Sequence, residues 1–306
     1  MVDYRGCCSL TFTGQLKMSY YKILGFEKEP FSTSPDPNYF YLSLEHEQAM
    51  TNTLIELRLK RGLSVILGDI GTGKTTLSRK LIQELKERRD VIFHIVLDPS
   101  FEDEGMFLRS LARNFEIPIN NLSGSAPFDV RDALERFLFQ KGVKENKSVV
   151  LIIDEAQKLN DVSLEMLRVL LNYETNEHKL LQLVLLGQTE LHEKILSIPN
   201  FFDRISFKYT LNPFSVKETE EMINFRIRKA GYKSRMHLFL KEAILEIHRV
   251  TQGYPRRITM LCHKALKELV MHNKSVVSAG VVEDIVQNEM RAGWHRKDPL
   301  LLKNSY

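Results

Sequence analysis

An apolar run, Leu63–Leu67, leads directly into Gly68-Asp-Ile-Gly-Thr-Gly-Lys-Thr75, and an amphipathic stretch follows to Arg89. Few folds accommodate that succession. A short apolar run closed by glycine reads as a buried strand, whereas Leu77, Leu81, Ile82 and Leu85 recur at helical spacing. Between them, G-x-x-x-x-G-K-[ST] is a phosphate-binding pattern, and a strand before it with a helix after it is the context that gives the pattern meaning. Gly71 and Gly73 let backbone N–H groups turn inward around phosphate, and the positive end of the following helix faces the same charge. Lys74 is expected to reach the β- and γ-phosphates, and the Thr75 hydroxyl to ligate Mg²⁺. The expected contact set for ATP is Gly68, Asp69, Ile70, Gly71, Thr72, Gly73, Lys74, Thr75 and Thr76.

Further along, short apolar runs alternate with helical patterns. Strands are expected at Val91–Leu97, Ser148–Ile153, Leu180–Leu186 and Ser206–Leu211. Helices are expected at Ser43–Lys60, Glu104–Phe115, Val130–Phe139, Val162–Tyr173 and Glu190–Leu196. Strands apolar on both faces and separated by helices imply a parallel sheet covered on both sides, a three-layer αβα fold. After Pro213 the strands cease. Ser215-x-x-Glu218 has the spacing of a capping box opening a helix that stops at Gly231. Helices at about Leu240–Val250, Pro255–His272 and Ser278–Arg291 make an all-helical second part. The expected organisation is an N-terminal tail over 1–19, an aromatic and proline-rich arm with one helix over 20–62, an α/β domain over 63–213, a helical domain over 214–290 and a tail over 291–306. The arm, Tyr20–Tyr41, carries little helix or strand character and is expected to lie across an apolar surface.

Val149-Val-Leu-Ile-Ile-Asp154-Glu155 is an apolar strand ending in two carboxylates. At a strand tip beside the phosphate loop, Asp154 suits Mg²⁺ coordination through water, and Glu155 suits activation of an attacking water as general base. Binding requires Asp154 only, so Glu155 is the residue that argues for turnover. Composition adds exclusions. With 43 basic against 39 acidic residues the net charge is +4, too mild to indicate nucleic acid by itself. No apolar run approaches the length of a membrane helix, about 20 residues. Polar residues interrupt any signal-peptide core near Cys7, Cys8 and Leu10, and Met1–Lys17 reads as an extended start or a loose tail ahead of Met18. Three cysteines, two of them adjacent, make no disulfide framework, so a reducing cytoplasm is expected. The histidines show no metal-ligand spacing with the cysteines, and Trp294 with the basic stretch Arg291–Lys297 has no assigned role.

Taken together these residues resemble the AAA+ ATPases, and within them the general secretion pathway A type. Gly25-Phe26, Pro30-Phe31, Pro35-Asp36-Pro37, Tyr41-Leu42-Ser43 and His46 carry the resemblance at the N-terminus. Asp154-Glu-Ala-Gln157, Leu170-Leu-Asn-Tyr-Glu-Thr175, Leu181-Gln-Leu-Val-Leu-Leu-Gly-Gln188 and Gly253-Tyr-Pro-Arg-Arg-Ile258 continue it. The resemblance implies that Gln188 is the sensor-1 polar residue and Arg204 an arginine finger acting on a neighbouring subunit. It also implies that the helical domain is a lid whose sensor-2 arginine is Arg256, with Arg257 the competitor. The segment around Tyr39–His46 would flank the adenine or simply pack against apolar neighbours. A nucleotide-dependent homo-oligomer is implied, serving general secretion or type IV pilus biogenesis with a membrane component as partner. The same core also occurs in ATPases that regulate transposition on DNA, so a DNA-associated regulator is the alternative.

Overall fold

The computed structural model describes residues 19–32, 37–119, 122–198, 200–234 and 236–293, which form two compact units, 37–213 and 19–32 with 214–293. Cys7, Cys8, the Pro35-Asp36 pair, Trp294 and most of the basic tail lie outside the described residues.

The first unit is a five-stranded parallel sheet built from β1 (Leu63–Gly68), β2 (Val91–Val96), β3 (Ser148–Ile153), β4 (Leu181–Gly187) and β5 (Ile205–Leu211), in the order β2-β3-β4-β1-β5. Every residue of β3 and β4 is buried, while β5 at the edge alternates. That contrast follows from position: a central strand has its two faces covered, and the pleat sends successive side chains to opposite faces. Val149, Leu151 and Ile153 enter one apolar cluster with Leu183 and Leu185, whereas Val150 and Ile152 enter another with Val184 and Leu186. Helices α4 (Glu104–Asn114), α5 (Pro127–Phe139), α6 (Asp161–Leu170) and α7 (Glu190–Ser197) contribute to the first cluster; α2 (Leu44–Arg58) and α3 (Lys74–Lys86) contribute to the second. The expected three layers are present. Inside β4 the buried Gln182 is satisfied at each end, accepting from Gly62 N at 2.9 Å and donating to Lys179 O at 2.8 Å.

Two local features depart from the sequence reading. Gln140–Lys144 continue α5 as a π-helical turn, with Glu145 N bonded to Gln140 O at 3.0 Å. The arm, read as one segment with residues 37–62, is divided between the units. It begins with a short α1 (Tyr20–Ile23), and its residues up to Ser32 pack in the helical unit, because its aromatic side chains find their apolar partners there. Phe26 packs on Tyr232 with ring centroids 4.9 Å apart and Phe31 on Phe239 at 5.8 Å, both phenylalanines being buried. Glu27 N and Lys28 N both donate to Ala230 O, and the Tyr20 hydroxyl donates to Glu29 Oε1 at 3.0 Å.

The helical unit consists of α8 (Val216–Lys229), α9 (Lys241–Thr251), α10 (Pro255–Met271) and α11 (Ala279–Arg291) with that arm. The capping box at the start of α8 is formed: Ser215 Oγ accepts from Glu218 N while Ser215 N donates to Glu218 Oε2. Cys262 is fully enclosed within α10, and burial pushes its thiol well above the usual range.

Leu151 has no exposed surface. Leu151→Ala is expected to lower the unfolding free energy by about 2–5 kcal/mol, read from urea denaturation, because the rigid sheet around it leaves a cavity. A loss below about 1 kcal/mol would mean that the central layer is loosely packed.

Candidate nucleotide site

The C-terminal ends of β1, β3 and β4 bring the phosphate loop, Asp154, Glu155 and Gln188 together, whereas Arg204 precedes β5 and Arg256 belongs to the helical unit. Gly68 closes β1, Asp154 and Glu155 follow β3, and Gln188 follows β4. The register pairs Leu67 with Gly187 and Ile153 with Leu185, so the three strand ends lie along one edge of the sheet.

The loop after β1 has the shape its glycines allow. Gly71 and Gly73 adopt φ of 90° and 105°, in the left-handed region. At Gly73 a side chain is excluded by space as well, since a Cβ would lie 2.9 Å from His46 Nε2. Asp69 and Ile70 are exposed at the tip, whereas Thr72 is buried and donates through Oγ1 to Asp69 O at 2.9 Å. Lys74 is 6% exposed, and its Nζ donates to Gly68 O at 2.6 Å and Asp69 O at 2.9 Å. Burial holds its pKa below the ordinary lysine range, opposed by the charges of Glu155, Asp154, Asp69 and Glu190. Gly73 occupies the N-cap of α3 and supplies no side-chain cap, leaving the first turn, with Lys74, Thr75 and Thr76, facing the loop. A glycine cradle, a buried cation bonded only to carbonyl oxygens and an uncapped helix start together fit a polyphosphate.

Asp154 is 1% exposed. Burial raises its carboxyl pKa, opposed by hydrogen bonds from Glu155 N, at 3.0 Å to Oδ1, and from the Thr75 side chain. Ser78 Oγ also donates to Oδ2, at 3.5 Å. Thr75 and Asp154 are thus already in contact, and two oxygen donors completed by phosphate and water are what Mg²⁺ takes at such sites. Among the described residues no group of three or more His, Cys, Asp or Glu side chains could hold a metal by itself. Glu155 sits in the left-handed region, with φ 51° and ψ 36°, and its Oε2 accepts from Gln157 Nε2 at 2.6 Å.

Arg204, in the turn before β5, donates to Asn200 O and to Asn172 Oδ1, each at 2.5 Å, rather than to Asp203. Arg256 is exposed on the first turn of α10, while the Arg257 guanidinium lies 4.8 Å from the centre of the Tyr254 ring.

Three further contributors have roles that the sequence motifs do not specify. His46 is buried beside the loop with Nε2 2.9 Å from Thr72 O. A carbonyl only accepts, so the ring carries a proton on Nε2, and Nδ1 faces Ser43 Oγ at 2.7 Å. The Ser43 to His46 spacing, N-cap to third helical residue, was the available signal. Glu190, at the start of α7, adds negative charge near Lys74. Gln157 closes the motif Asp154-Glu-Ala-Gln157, a pattern that by itself assigns the amide no chemistry.

Residues 57–195 match the AAA domain family, a range containing the phosphate loop, the acidic pair and Gln188. Over 251 residues the chain is 34% identical to general secretion pathway protein A of Aeromonas hydrophila, covering 81% of this chain and 44% of that protein. The chain is an AAA+ ATPase similar to general secretion pathway protein A. It spans less than half the length of that relative. Solved structures with this ATPase's fold include Cdc6p from Pyrobaculum aerophilum, with a TM-score of 0.63 at 15% identity, covering 81% of this chain and 67% of that one. The Aeropyrum pernix ORC2 protein gives 0.57 at 19% identity over 79% and 66%, and the Thermotoga maritima RuvB branch migration motor 0.53 at 16% over 82% and 72%. At such identities the likeness concerns the fold. No helix among the described residues is long and apolar enough to cross a membrane.

The buried Asp154 opposes folding. Its folded pKa is raised, so the folded state binds the proton more tightly, and stability falls as pH rises through the window between the unfolded and folded values. Asp154→Asn keeps the shape and removes the desolvated charge. It is expected to raise the thermal midpoint of the nucleotide-free ATPase by about 2–4 °C, a shift calorimetry resolves, corresponding to about 1 kcal/mol. An unchanged or lower midpoint would show that the hydrogen bonds to the carboxylate outweigh its desolvation.

Proposed function

We propose that this ATPase binds ATP with Mg²⁺ and hydrolyses it, and that turnover drives or switches assembly of a macromolecular complex. The observation that carries the reading is the meeting of Lys74, Thr75, Asp154 and Glu155 at one edge of the sheet. Lys74 exchanges its two loop carbonyls for β- and γ-phosphate oxygens, while the backbone N–H groups from Gly71 to Thr75 surround the β-phosphate. Thr75 and Asp154 hold Mg²⁺, which when bound supplies charge neutralisation between the phosphates. Glu155 takes the proton of the attacking water. Gln188, which follows β4, lies at the same edge and orients the water or the γ-phosphate.

Arg204 acts on the site of a neighbouring subunit, which makes turnover depend on a homo-oligomer. Supporting this, its hydrogen-bond partners are neutral oxygens of Asn172 and Asn200, and among the described residues no carboxylate accepts a hydrogen bond from the guanidinium, although the charge of Glu165 is near. Arg256 rather than Arg257 serves as the lid arginine, since Arg257 lies over Tyr254. The similarity to general secretion pathway protein A supports service in general secretion, or in the related assembly of pili, from the cytoplasmic side with a membrane component as partner. Regulation of a DNA-bound complex draws on fold likeness alone.

Phosphate release by the purified protein tests the chemistry. Glu155→Gln is expected to lower turnover by about 10²–10⁴ with ATP binding retained. Arg204→Ala is expected to lower it by about 10³ or more. Mixing the two inactive variants should restore part of the activity, because an intact Glu155 then meets an intact Arg204 across the subunit boundary. No recovery on mixing would sink the arrangement in trans, and full turnover in Glu155→Gln would sink the base assignment.

A further inference from the structure

Gln157 belongs to a short 3₁₀ turn, Ala156–Lys158, that follows the acidic pair. Its side chain bridges two strand ends. Oε1 accepts from Gln188 N at 3.1 Å, and Nε2 donates to Glu155 Oε2 at 2.6 Å. The amide orientation is decided by chemistry: a backbone N–H only donates, so the oxygen must face Gln188 and the NH₂ must face Glu155. The backbone of the same turn is held from the other side, with Lys194 Nζ donating to Gln157 O at 2.6 Å and to Leu159 O at 2.9 Å. Gly187 makes the approach feasible, because a Cβ there would lie 2.7 Å from Leu191 Cδ2 and 3.3 Å from Gln157 N.

Glu155 otherwise has considerable freedom. It is half-buried, follows the strand rather than lying within it, and has three side-chain torsions to fix before one oxygen can face a water. We infer that Gln157 is a positioning residue, holding one carboxylate oxygen of Glu155 so that the other faces the water, and tying that placement to the backbone at the end of β4. The inference rests on Glu155 being the general base. A misplaced base lowers the chemical step and leaves nucleotide binding alone, because the loop, Lys74 and Asp154 are untouched.

Two variants divide the bridge. Gln157→Leu removes both bonds. Gln157→Glu keeps an acceptor for Gln188 N, and so keeps the turn, while presenting a like charge to Glu155. With the full chain, Mg²⁺ and ATP, both are expected to lower kcat roughly tenfold to hundredfold. KM, and affinity for a fluorescent ATP analogue, should stay within about twofold, well under the tenfold that 1.4 kcal/mol represents. The third measurement is a double-mutant cycle: in a Glu155→Gln background, Gln157→Leu is expected to lower the residual rate no further, because a residue that acts through Glu155 has nothing left to position. An unchanged or raised kcat in both single variants, a loss residing in KM, or an additive loss in the cycle would overturn the inference while leaving Glu155 as base. Full turnover in Glu155→Gln alone would overturn the base assignment and this inference with it.

Discussion

Parallel strand pairing is the constraint on which everything else here depends. In a parallel sheet all strands end at the same edge, so residues far apart in sequence meet wherever their strands stop. The pairing of Leu67 with Gly187 and of Ile153 with Leu185 fixes, through backbone hydrogen bonds, how far the phosphate loop, the acidic pair and Gln188 stand from one another. Side chains refine that arrangement but do not create it. The all-buried β3 and β4 keep the register rigid, since a slip by one residue would turn Val149, Leu151 and Ile153 toward the wrong helical layer.

The edge so formed encloses opposite charges. Lys74 and Asp154 are both almost fully enclosed, and burial shifts each toward its uncharged form. Their mutual attraction, with Glu155 and Glu190 near Lys74, offsets part of this. Under the proposed function, such fixed and partly compensated charges are what stabilise a polyanion with its cation.

The α/β order, the strand identities, the phosphate loop and the acidic pair were legible in the sequence because each rests on local pattern. A strand buried on both faces leaves a continuous apolar run, and a loop shaped by glycine carries its glycines in fixed spacing. What was not legible depends on contacts between distant segments. Nothing in residues 20–32 says that Phe26 and Phe31 will find Tyr232 and Phe239. Nothing local says that His46 will bond Thr72, or that the end of α5 will widen into a π turn. Gln157 stands between these cases: its motif was visible, but its bridge to Gln188 exists only once β3 and β4 are side by side.

The hydrogen bonds of Lys74 determine what a phosphate must displace. With its Nζ on Gly68 O and Asp69 O, the loop satisfies its own cation internally. On the proposed role of Lys74, affinity for a polyphosphate is a difference between two sets of bonds to one ammonium group. Under that proposal a phosphate replaces bonds that the loop already makes to itself, with the lysine acting as its own placeholder.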